Sequence, residues 1–150
     1  MAVFLIVRQP FCIHKRRDQM NRRELREHIF RLLFCLEFHT PQEVEEQTQL
    51  YADGLLEPLK KDVYYIREKA EKIYVARNSL DEKINAVATG WKTDRMGKAD
   101  LILIRIALYE MTEDEEVPTG VAINEAVELA KRYGSKDSAS FVNGILAKLA

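Results

Sequence analysis

Cys12, His14, Cys35 and His39 outline a loose set of metal-ligating residue types, CxH followed by CxxxH. Structural zinc sites use tighter paired spacing, so no metal is expected, and Cys35 reads as a small buried thiol. The sequence has no phosphate-binding glycine loop, nucleophile elbow or HExxH motif. Three scattered histidines propose no general base, so neither an enzyme nor a cofactor is expected. Arg22, Arg23 and Arg26 are more informative, because they open a strongly helical segment. A planar guanidinium suits phosphates and base edges, and a helix start adds unsatisfied N–H groups. With Glu24 and Glu27 between and beside them, they read either as a solvated face or as a nucleic-acid contact. Towards the other end, Asp137 is expected to cap the last helix. Phe141 reads either as core or as a surface on which a base can stack.

The elements that must position these residues belong to one domain, long enough at 150 residues to bury its own core. A net charge of −1 gives no global positive field, so an anionic partner must be held by a local patch. The apolar run Ala2–Val7 is too short to span a bilayer, and its basic residues follow rather than precede it, unlike a signal peptide. Residues 1–19 are read as an N-terminal extension, with translation beginning at Met20; the alternative is a basic arm using Lys15, Arg16 and Arg17. Two cysteines without a paired motif suit a reducing cytoplasm, and no membrane association is expected.

From Asn21 onward the periodicity is helical. Leu25, Ile29, Leu32, Leu33 and Leu36 form one apolar face, and Phe30, Phe34 and Phe38 a second stripe, expected to be mostly core with a part left for a partner. Thr40-Pro41-Gln42-Glu43 reads as a capping box, and Asp53-Gly54 as the end of the helix it starts. Asp62 opens a long amphipathic stretch that a second capping box, Ser79-Leu80-Asp81-Glu82, is expected to break. Leu101–Leu108 is apolar nearly all round and reads as a central helix in which Arg105 needs an acidic or carbonyl partner. Pro118 and Gly134 bracket the next helix, and a last one follows Asp137-Ser138. Asn124 and Asn143 are poor helix formers inside helices and are expected to hydrogen-bond between the last two. The expected architecture is all-α, with about seven helices and no strand.

Several separated blocks are specific: Arg105-Ile106-Ala107-Leu108-Tyr109-Glu110, Val117-Pro118, Val121 to Lys131, Asp137-Ser138 and Phe141-Val142-Asn143-Gly144. Together with the Arg22-Arg23-Glu24-Leu25-Arg26-Glu27 opening, they resemble the NusB family over residues 20–150. Residues 86–100 match only loosely, and residues 1–19 are not a family feature. The resemblance implies two packed helical subdomains. It also implies binding to boxA-type RNA of ribosomal operons together with NusE, a small-subunit ribosomal protein, within the RNA polymerase antitermination complex with other Nus factors. Arg22, Arg23, Arg26, Asp137 and Phe141 are the implied RNA contacts. Phe34, Phe38, Asp94 and Asp100 are the implied partner contacts. A helical protein–protein scaffold without RNA binding is the alternative.

Overall fold

The computed structural model describes residues 19–150. Cys12, His14, the arm at Lys15, Arg16 and Arg17, and nearly all of the expected extension lie outside the described residues. Six α-helices follow one another: α1 (Arg22–Leu36), α2 (Val44–Asp53), α3 (Lys60–Val87), α4 (Lys98–Glu113), α5 (Thr119–Tyr133) and α6 (Ser138–Leu149). Short 3-10 turns, Pro41–Glu43 and Thr93–Arg95, precede α2 and α4, and no strand occurs among the described residues. The chain divides into two compact units, one ending at Lys72 and the other spanning Ile73–Ala150, so that α3 contributes to both.

In the first unit α2 packs on α1. Every α1 residue from Leu25 to Leu36 is buried, because Phe30 and Phe34 fill the gaps between the Leu25, Ile29, Leu32 and Leu36 positions. The expected second stripe is therefore mostly core. Its rings stack in series, Phe30 on Phe34 at 5.9 Å and Phe34 on Phe38 at 5.2 Å, and only Phe38 emerges, at 50% exposure. Such continuous burial traps polar side chains. Glu27 and Arg31 pair at 3.3 Å, and His28 Nδ1 meets the Tyr51 hydroxyl of α2 at 2.7 Å. Arg67 of α3 donates to Gln49 and Glu45 of α2 at 2.7 and 2.9 Å.

The Thr40 box forms as expected. The Glu43 carboxylate accepts the Thr40 N–H at 2.7 Å and its hydroxyl at 2.9 Å. Those bonds, the backbone one first, hold the Glu43 carboxyl below its usual pKa. The Ser79 box does not form, and α3 runs unbroken through it. Leu80 and Ile84 are buried there, and the Asp81 carboxylate is taken by Arg105. A capping signature offers about 1 kcal/mol. Interrupting the helix would expose two large apolar side chains, each worth about 1.5–3 kcal/mol buried, so packing wins.

In the second unit α4, α5 and α6 pack on one another. Leu101–Leu108 is buried without a break, as the all-round apolar pattern requires. Arg105 meets its expected partner. Its Nε and Nη2 donate to the two carboxylate oxygens of Asp81 at 2.7 and 2.6 Å. This forked pairing satisfies a guanidinium that is otherwise 92% withdrawn from water (8% exposed). Asn124 and Asn143 contradict their expectation, since both are exposed and neither side chain makes a hydrogen bond among the described residues. The inward stripes are Ala122, Ala126 and Leu129 on α5 and Val142, Ile145 and Leu146 on α6; helical periodicity turns both asparagines outward.

Candidate nucleic-acid interface

The start of α1 is built to be rigid. Asn21 is its N-cap, with an extended backbone, and its side-chain oxygen accepts the Glu24 N–H at 2.9 Å. Glu24 returns the contact by accepting the Asn21 N–H at 2.8 Å, completing a capping box. Met20 and Leu25, on either side of the cap, are both buried, the positions that close a hydrophobic staple.

This frame decides which arginines face solvent. Arg22 and Arg23, the first two helical residues, are exposed, whereas Arg26 is only 7% exposed. Arg26 is thus buried, unlike the two arginines with which it was grouped as an RNA contact. Arg26 shares the Arg22 and Arg23 side of the helix but lies one turn further in, within the stretch from Leu25 onward that is buried on every side. Arg22 and Arg23 sit where the helix dipole disfavours cations, at a cost of about 0.3–1 kcal/mol each. The same dipole and the unsatisfied N–H groups of a helix start attract anions.

The start of α6 is made differently. Asp137 has a helical backbone (φ −97°, ψ −4°) and makes no capping bond, contrary to expectation. A capping side chain is aimed by an extended backbone, which Asp137 lacks. Ser138 closes the turn instead, its hydroxyl accepting the Ser135 N–H at 2.8 Å. Gly134 is required by that closure. A Cβ there would lie 2.3 Å from Ser138 Oγ and 2.7 Å from the Ala130 carbonyl oxygen. The Asp137 carboxylate is left exposed beside the exposed Lys136, and Phe141, one turn on, is half-buried. A half-covered ring has a packed edge and a wet edge, so core and stacking readings of Phe141 are compatible.

The partner residues separate in the same way. Phe34, grouped with Phe38 as a partner contact, is buried between two phenylalanines, while Phe38 is half-exposed. In the second unit Asp94 is exposed and Asp100, in the first turn of α4, is half-buried. Sequence reasoning missed Asn85, which orders the loop carrying Asp94. Its side chain accepts the Thr93 N–H at 2.9 Å and donates to the Thr93 hydroxyl at 3.0 Å. An asparagine at the end of a long helix was the available signal. Trp91 in the same loop is 50% exposed.

No group of three or more metal-ligating side chains occurs among the described residues. His39 Nδ1 lies 2.8 Å from the Cys35 carbonyl oxygen, and burial raises the pKa of the Cys35 thiol. No helix of the described residues is long and apolar enough to cross a membrane.

Comparison with known proteins gives one answer. The NusB family model matches residues 23–150. The transcription antitermination protein NusB of Lachnoclostridium phytofermentans is 50% identical, over 87% of this chain and 98% of the relative. That of Agathobacter rectalis is 48% identical, over 87% and 100%. The solved structure of T. maritima NusB superimposes with a TM-score of 0.78 at 33% identity, covering 89% of this chain and 92% of that one. The chain belongs to the NusB family, a non-enzymatic family of transcription antitermination proteins.

Proposed function

We propose that this chain acts in antitermination by binding boxA-type RNA of ribosomal operons together with NusE, in the cytoplasm, within the RNA polymerase complex formed with other Nus factors. The observation that carries the reading is the pair of exposed arginines, Arg22 and Arg23, on a capped helix start whose dipole does not favour them. Asp137 and Phe141 supply what arginines on phosphate cannot, a carboxylate for base-edge amino groups and a ring for stacking. Phe38, Asp94 and Asp100 are the proposed NusE contacts; the two carboxylates suit a basic ribosomal protein. Residues 1–19 stand outside this functional domain, in keeping with a family match that begins at residue 23.

Titration of boxA RNA and of a scrambled RNA, each with and without NusE and at several salt concentrations, tests the proposal. Tighter binding to boxA, strengthened by NusE and weakened by salt, is expected. Equal, salt-independent binding of both RNAs would leave only a protein–protein scaffold.

A further inference from the structure

The start of α3 is held against the segment that leads into α1. The Met20 N–H donates to Asp62 Oδ2 at 2.9 Å, and Lys61 Nζ donates to Gln19 Oε1 at 2.8 Å. Two helix starts, forty-two residues apart in sequence, are thereby locked together within the first unit. Lys60 and Lys61 precede Asp62 directly, as Arg22 and Arg23 follow Met20 closely. All four cations are exposed, and all lie within three residues of the bond between Met20 and Asp62.

Little negative charge is exposed beside the two lysines. Asp62 is buried, at 3% exposure, on the Met20 N–H, and Glu24 is engaged with the Asn21 N–H. Glu57, three residues before Lys60, is the exposed acid nearest in sequence. The Lys60 side chain makes no hydrogen bond or ion pair among the described residues. One turn further, on the face shared by positions i, i+3 and i+4, Tyr64 is 68% exposed. Cations followed by an exposed ring are the parts that single-strand binders combine, the charges tracking phosphates and the ring carrying a base.

We infer that Lys60, Lys61 and Tyr64 at the start of α3 form a second contact for single-stranded RNA, continuous with Arg22 and Arg23. The inference rests on the RNA-binding reading and extends it to residues outside the arginine-rich helix. The lysines bind backbone phosphates without regard to sequence, and Tyr64 stacks on a base.

The test compares the full chain with Lys60→Gln/Lys61→Gln, Lys60→Arg/Lys61→Arg and Tyr64→Ala, using boxA RNA across a salt series. Glutamine keeps the stem and helix propensity, and melting curves check that each variant stays folded. The glutamine pair should weaken binding severalfold and flatten the slope of log affinity against log salt by about 1.4, two phosphates at about 0.7 each. The arginine pair should keep the parental slope. Tyr64→Ala should cost at least about fivefold in affinity, the low end for a stacked base. If the glutamine pair keeps the parental slope and affinity while Arg22→Ala/Arg23→Ala lowers both, this inference is overturned and the RNA-binding reading survives. If the parental protein itself shows no salt dependence, both fall together.

Discussion

On the proposed reading the starts of α1 and α6 both offer side chains to RNA, and they are constructed on opposite principles. At α1 a complete capping box and buried flanking residues hold two exposed arginines, so the contact is cationic and backbone-directed. At α6 the turn is closed by Ser138 against a glycine, and what is presented is a carboxylate and the edge of a ring. Phosphate contacts position a nucleic acid without reading it, whereas base contacts discriminate. The contrast assigns affinity mainly to the first helix start and selectivity mainly to the second.

The largest expected effect belongs to the arginines. Arg22→Ala/Arg23→Ala should weaken binding to boxA and scrambled RNA alike, by about 2–4 kcal/mol together if each loses a charge-assisted hydrogen bond. Thermal stability should hold or rise slightly, because two cations leave a helix N-terminus. Arg26→Ala should behave in reverse, lowering stability by about 1–3 kcal/mol as a buried side chain is truncated. Equal effects of the three substitutions on affinity, with melting unchanged, would erase the distinction between exposed and buried arginines.

Gly134→Ala should damage only the second helix start. The added methyl group would overlap Ser138 and the Ala130 carbonyl, an overpacking that costs about 1–3 kcal/mol of stability. Its effect on RNA should appear as lost preference for boxA rather than as a changed salt slope. Phe141→Ala should lower boxA affinity by about 1–3 kcal/mol if the ring stacks on a base. Calorimetry must accompany it, since a fall in stability with normal binding by the folded fraction would make Phe141 a core residue only. Asp137→Ala is expected to be smallest, about 1 kcal/mol of boxA preference, with no stability loss because the side chain caps nothing. A clear drop in melting temperature would show that the carboxylate does support the helix.

Much of this molecule was legible in its sequence. The all-α class, the central helix at Leu101–Leu108, the Thr40 box and the need of Arg105 for an acidic or carbonyl partner follow from periodicity and the cost of burying charge, and the structure contains each. These are properties of one helix or of one turn, set by the spacing of apolar residues and by side chains within reach of their own backbone. What only tertiary structure decided is which residues of one face are buried. Arg22, Arg23 and Arg26 are alike as residues, and Leu25 onward being buried on every side is what separates them. Phe34 and Phe38 share a stripe, and only the second leaves the core. The Ser79 box has the right letters but loses to the burial of Leu80 and Ile84 and to Arg105's hold on Asp81. Local signals are worth about 1 kcal/mol, and burial of a large side chain is worth more, so wherever the two conflict the fold follows packing. The meeting of Lys61 with Gln19 and of Asp62 with Met20 lay beyond any local signal, because it joins segments that only folding brings together.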